Sequence, residues 1–148
     1  MPRALLDTNV LIHAVYRGSP LHAQAARLVD TGLRESGRYC IAPQNLIEFS
    51  ANVTRSRLLD PPLGPIEASR AASLLYRSRR LAKIYPGRGT VMRAVDEGAA
   101  LNIVGTAWYD LFLAVTMRDA GVSIIITEDV RDFIKFPFIT VRKINDMA

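Results

Sequence analysis

Four short apolar runs, Ala4–Leu6, Tyr39–Ala42, Ser123–Thr127 and Phe138–Val141, are set apart by long stretches whose apolar residues recur at helical spacing. Runs this short read as strands buried on both faces, and helices between successive strands make those strands parallel. Leu21, Ala25, Leu28, Val29 and Leu33 follow Ser19-Pro20, which predicts an N-cap, a proline at the first helical position and a helix to about Glu35. Val10–Val15 reads as a helical turn. Pro43 opens a helix carrying Leu46, Ile47, Phe49 and Val53, and Pro65, after the breaker Asp60-Pro61-Pro62-Leu63-Gly64, opens another to about Arg79. Leu81–Tyr85 reads as a strand or a helix end, Pro86–Gly89 as a turn, Thr90–Leu101 as weakly helical, and Ala107–Ala120 as a helix stopped by Gly121. The expected fold is α/β and three-layered, a central, mostly parallel sheet of about four to five strands with helices on both faces.

A chain of 148 residues is sized for one domain, so 1–148 is read as a single unit. One cysteine, Cys40, excludes an internal disulfide framework and a cysteine-based zinc cluster, and suits a reducing compartment such as the cytoplasm. No uncharged apolar run reaches the ~18 residues of a membrane span. Asp7 interrupts the first apolar stretch, against a signal peptide. The net charge is +5, yet the stretch from Arg55 to Arg93 holds nine basic and two acidic side chains, a net of +7, leaving −2 elsewhere. A basic middle third beside acidic ends suggests a polyanion-binding region next to a separate carboxylate-rich feature.

In such sheets, ligands bind outside the carboxyl ends of the strands. Asp7 directly follows the first strand, and Glu48 lies one to two turns into the helix after the second. Asp110 is in the first turn of the helix before the isoleucine strand; Asp129 comes two residues after that strand, and Asp132 three further on. All five can face one end of the sheet. An acid between Leu5-Leu6 and Val10-Leu11-Ile12 is costly to bury without partners. Like charges ~4 Å apart repel by about 4 kcal/mol at an effective dielectric of 20, so converging carboxylates either protonate or share a divalent cation. All-oxygen ligation favours Mg²⁺ or Mn²⁺ over Zn²⁺, and a carboxylate cage around one or two such ions is machinery for phosphodiester hydrolysis. His13 and His22 have no partner at metal spacing and read as structural, Cys40 as a core residue, and Trp108, Tyr109 and Phe112 as core rather than base-stacking groups.

The combination is more specific than any member. Leu5-Leu6-Asp7-Thr8-Asn9-Val10-Leu11-Ile12 resembles the opening of PIN-domain nucleases, and Pro43-Gln44-Asn45-Leu46-Ile47-Glu48-Phe49 their second acidic motif. Tyr109-Asp110-Leu111-Phe112-Leu113-Ala114 resembles the third, and Thr127-Glu128-Asp129-Val130-Arg131-Asp132-Phe133 the fourth. The likeness spans residues 4–142, and the short length is most similar to the toxins of VapBC-type bacterial toxin–antitoxin pairs. It implies a single PIN-like domain with Mg²⁺- or Mn²⁺-dependent endoribonuclease activity. It also implies a homodimer and a small antitoxin partner. It makes Asp7, Glu48 and Asp110 metal ligands, and offers both Asp129 and Asp132 for a fourth place. Thr8 and Asn9 match positions that support the first Asp, and Thr127 opens the fourth motif. Tyr109-Asp110-Leu111 departs from the His-Asp-Ala common among relatives. Lys83, Arg88 and Arg93 are candidates for contact with RNA phosphates.

Three other readings compete. A housekeeping RNA-processing nuclease would use the same chemistry. A non-catalytic RNA-binding module would have lost an acid, and none is lost. An aspartyl-nucleophile phosphatase wants a second acid two residues after Asp7, where this chain has Asn9.

Overall fold

The computed structural model describes residues 2–147. Five strands, β1 (Ala4–Leu6), β2 (Tyr39–Ile41), β3 (Ala82–Lys83), β4 (Ile124–Ile126) and β5 (Thr140–Arg142), form one sheet in the order β3-β2-β1-β4-β5. Every pairing is parallel, with Leu5 opposite Cys40 on one side and Ile125 on the other. The intervening helices are α1 (Thr8–Val15), α2 (His22–Arg34), α3 (Pro43–Val53), α4 (Pro65–Arg77), α5 (Thr90–Ala100), α6 (Ala107–Asp119) and α7 (Val130–Phe133), with a short 3₁₀ helix at Ile144–Met147.

Alternating side chains divide the core into two layers. Ala4, Leu6, Tyr39, Ile41 and Ile126 pack with Val10, Leu28, Phe49 and Leu75 from α1 to α4. Leu5, Cys40 and Ile125 point the other way, against Ala94, Leu111, Ala114 and Val115 of α5 and α6 and Phe133 of α7. The central strands are therefore buried on both sides, which explains their unbroken apolar sequence. Cys40 has no exposed surface, and burial pushes its thiol up to about 12.

Several boundaries differ from the sequence reading. Helix α1 starts at Thr8 because the Asp7 carboxylate accepts the Thr8 N–H at 2.8 Å and caps the helix. Helix α2 starts at His22, not Pro20: Ser19 Oγ accepts the Leu21 N–H at 3.0 Å and lies 2.6 Å from His13 Nδ1, closing a turn before the helix. The weakly helical stretch is a full helix, α5. It is stitched to α6 by Arg93 on Asp119 and by Arg118 on Glu97. The last strand begins at Thr140 rather than Phe138, since Phe136 and Ile139 turn into the core. Tyr109 was expected in the core and is 64% exposed, whereas Trp108 and Phe112 pack against the second core layer.

The chain runs outward from β1 to β2 and β3, then returns to the other side of β1 for β4 and β5. The sheet thus reverses direction between β1 and β4, and loops leaving those strands at their carboxyl ends diverge and leave a crevice. No helix among the described residues is long and apolar enough to cross a membrane.

Candidate active site

The crevice between β1 and β4 is where Asp7 emerges. Its N–H donates to Ile126 O at 3.0 Å, so the sheet fixes its backbone, and only 6% of the residue is exposed. Four donors converge on the carboxylate. Oδ1 accepts from Thr8 N (2.8 Å) and Asn45 Nδ2 (3.4 Å); Oδ2 accepts from Thr127 Oγ1 (2.7 Å) and Asn9 Nδ2 (3.3 Å). These donors come from β1–α1, α3 and the end of β4.

Each neighbouring acid is oriented by the same group of amides and hydroxyls. Glu48, half-buried on α3, accepts from Thr8 Oγ1 through Oε2 at 2.9 Å and from Gln44 Nε2 through Oε1 at 2.8 Å. Asp129 is exposed, and its Oδ2 accepts from Asn9 Nδ2 at 3.1 Å. The Asp129 N–H donates to Thr127 Oγ1 at 3.0 Å, which ties the turn after β4 to the bond that Thr127 gives Asp7. Asn9 also accepts the Glu128 N–H at 3.1 Å. Thr8, Asn9 and Thr127 thus all donate to Asp7, and Thr8 and Asn9 reach on to Glu48 and Asp129.

Electrostatics join Asp110 and Asp132 to the group. Burial raises Asp7 to about 6, opposed by the Thr127 and Thr8 hydrogen bonds and reinforced by the charges of Asp129 and Glu48. Burial raises Asp110 to about 7, reinforced by Asp132, Asp7 and Glu48 and opposed by Lys135. The charge of Asp129 thus bears on Asp7, and those of Asp132, Asp7 and Glu48 on Asp110.

Among the described residues, no three His, Cys, Asp or Glu side chains stand close enough to form a ready-made ligand set. In chemistry the donors still fit a hard divalent cation. They are all oxygen donors, and burial, reinforced by their neighbours' charge, raises Asp7 to about 6 and Asp110 to about 7. A cation in the crevice would remove that penalty.

Two contributors escaped the sequence reading. Asn45 is fully buried, and its Oδ1 accepts the Ala42 N–H at 2.9 Å while its Nδ2 reaches Asp7 and Thr8 Oγ1. Gln44 stands one helical turn before Glu48, and that i, i+4 spacing is the signal that could have found it. Of the three cations suggested for phosphate contact, Lys83 Nζ donates to the carbonyls of Ser78 and Leu81, and Arg93 is paired with Asp119. Arg88 is exposed in the turn before α5. A separate groove of about 820 Å³ runs between α3 and α4 past Leu46, Ile47, Ala68 and Tyr76, and none of the five carboxylates lines it.

The PIN domain family matches residues 4–139. Ribonuclease VapC48 of Mycobacterium tuberculosis is 30% identical over 138 residues, covering 92% of this chain and 93% of that protein. Among solved structures, Mycobacterium tuberculosis VapC20, a toxin cleaving the sarcin–ricin loop, superposes with a TM-score of 0.68 at 15% identity, over 90% of this chain and 95% of that one. DNA-bound VapBC from Salmonella typhimurium superposes with a TM-score of 0.66 at 20% identity, over 97% and 99% of the two chains.

Proposed function

This chain belongs to the PIN-domain family, and from that premise we propose that it is a metal-dependent endoribonuclease, the toxin of a bacterial toxin–antitoxin pair. The observation that carries the reading is the Asp7 network. A carboxylate that is only 6% exposed, next to two further acids, is held by four donors in one orientation. Burying an acid among acids destabilises a fold, and the cost is recovered when a cation binds.

Asp7, Glu48, Asp110 and Asp129 are assigned to hold that cation, with Asp132 beside Asp110 as the alternative fourth oxygen donor. Mg²⁺ or Mn²⁺ suits the donors, as one or two ions. Bound there, a divalent cation supplies the charge that keeps these acids ionised together and makes water a competent nucleophile at neutral pH. The chain's own groups do the rest. Thr8 and Gln44 fix both oxygens of Glu48, Asn9 spans Asp7 and Asp129, and Thr127 locks Asp7 from β4. The charge of Lys135 acts on Asp110 against that of the neighbouring acids. The Ser19–His13 pair, 2.6 Å apart, closes the turn before α2, and among the described residues no Ser, Cys or His is hydrogen-bonded to the five acids, so no covalent nucleophile is assigned there.

The VapBC complexes among the structural neighbours support an antitoxin partner, and a homodimer and a cytoplasmic setting are proposed with it. The apolar groove between α3 and α4, with Ile47 and Ile66 largely exposed beside it, is the surface on which such contacts would form. The test is cleavage of structured RNA with added Mg²⁺ or Mn²⁺. Activity that survives both chelation and Asp7→Asn overturns the assignment. Growth arrest on expression, relieved by a co-encoded partner, separates a toxin from a processing nuclease.

A further inference from the structure

A cavity of about 380 Å³ reaches Gln44, the residue that donates to Glu48. Its walls are Pro43 and Gln44 at the start of α3, Tyr85 and Pro86 after β3, and Phe112 and Leu113 on α6. Aromatic, proline and aliphatic surfaces dominate, and no Lys or Arg lines it, so its chemistry suits a flat heterocycle rather than a phosphate. The Thr116 hydroxyl at its base donates to Phe112 O at 2.7 Å and is spent within α6.

Two features connect this cavity to the crevice. Gln44 lines it and also donates through Nε2 to Glu48 Oε1 at 2.8 Å. With the amide nitrogen so engaged, the amide oxygen is left as an acceptor beside the cavity. Phe112 and Leu113 of the cavity wall stand on α6 two and three residues after Asp110, in the same opening turns of that helix. On the opposite wall the Tyr85 ring is 53% exposed, yet its hydroxyl lies 2.7 Å from that of Tyr76 on α4. The ring is thereby held in place before any ligand arrives, which lowers the entropic cost of stacking on it.

We propose that this cavity is a nucleobase subsite, in which Tyr85 stacks an unpaired base flanking the scissile bond and the Gln44 amide oxygen accepts from an N–H of that base. The inference rests on the ribonuclease reading and deepens it: Tyr85 becomes a specificity-determining residue. Unpaired bases stacked on aromatic side chains and read on their edges are the usual means of sequence preference toward RNA. Each of the four bases carries such a donor, an amino group in adenine, guanine and cytosine or the ring N–H of guanine and uracil, so the preference depends on which edge the stacked base turns toward Gln44.

Two measurements test this. The first compares wild type, Tyr85→Phe and Tyr85→Ala on a randomised oligoribonucleotide pool with Mn²⁺, followed by KM and kcat on one cleaved sequence. Tyr85→Ala is expected to flatten the preference at one position beside the cut and to raise KM roughly ten-fold or more, the loss of one base–aromatic stack. Tyr85→Phe keeps the ring and should keep the preference. An unchanged cleavage profile and KM in Tyr85→Ala overturns the subsite. The second uses the Asp7→Asn protein, which binds without cutting, and a short unpaired oligoribonucleotide carrying 2-aminopurine at one position at a time. Stacking quenches its fluorescence at a single position, and Tyr85→Ala in the same background removes the quench. Quenching at no position overturns the subsite whether or not the wild type cleaves RNA. If the wild type cleaves nothing, it is the ribonuclease reading that fails.

Discussion

Thr127 donates its hydroxyl hydrogen to Asp7 Oδ2 at 2.7 Å, joining two residues 120 positions apart across the β1–β4 crevice. Thr127 Oγ1 in turn accepts from Asn9 Nδ2 at 2.8 Å and from the Asp129 N–H at 3.0 Å. One hydroxyl therefore fixes the acid of the first motif and the turn carrying the fourth.

Thr127→Val keeps the shape of this side chain and removes its oxygen. Buried Asp7, half-buried Asn9 and the exposed Asp129 turn each lose a partner, so the fold should lose about 1–3 kcal/mol, chiefly the cost of leaving the buried Asp7 carboxylate short of a donor. The Thr127 bond also lowers the Asp7 pKa, so the variant's Asp7 should titrate higher than wild type. Urea unfolding and NMR titration of the Asp7 carboxyl check both outcomes.

Metal-free protein should be least stable at alkaline pH. Burial raises Asp7 from 3.8 to about 6. Between those values the folded state binds more protons than the unfolded chain, so stability is present near pH 4 and is lost as pH rises through 6. At about 1.4 kcal/mol per unit the loss at Asp7 is on the order of 3 kcal/mol. Asp110, raised to about 7, extends the decline in the same direction. Asp7→Asn removes the ionisation while keeping an N-cap, so without metal it should melt above wild type at pH 8, and the gap should close toward pH 4. Calorimetry across pH decides this; a wild type whose stability rises from pH 4 to 8 contradicts the burial account.

Divalent cations should reverse that cost. At free Mn²⁺ a hundred times its dissociation constant, wild type should gain about 2.7 kcal/mol of stability. Asp7→Asn and Asp110→Asn should gain much less. Equal stabilisation of all three proteins would place the ion elsewhere on the surface.

Arg93 and Arg88 should behave differently although both are exposed cations in the basic third. Arg93 is bound through two nitrogens to Asp119, which also accepts from Thr90 Oγ1 at 2.7 Å. Arg93→Ala should lower the melting temperature slightly and leave the salt dependence of RNA binding unchanged. Arg88→Ala should reduce the slope of log affinity against log salt by about one if it meets a phosphate. Equal slopes for the two variants would remove Arg88 from the interface.

Gly98 faces the Trp108 ring where α5 crosses α6, and a methyl group at Gly98 would overlap the ring's six-membered edge. Gly98→Ala should cost roughly 1–3 kcal/mol as an overpacked contact. Chemical denaturation checks the cost, and Trp108 fluorescence should report the displaced ring.

Short apolar runs and helical spacing carried the α/β architecture, because a strand buried on both faces must be apolar throughout and an amphipathic helix must repeat every three or four residues. The acids could be found in the same way, as carboxylates next to strand ends where ligands gather. Local pattern did not reveal that Ser19 closes a turn instead of starting α2, that Arg93 belongs to Asp119, or that Tyr109 faces solvent. Nor did it reveal that Asn45, fully buried on α3, would donate to Asp7. These outcomes depend on partners brought close by sheet order and helix crossing. Periodicity is a property of neighbours along the chain, whereas the energy of a buried charge or a hydrogen bond depends on which distant groups the packing places beside it.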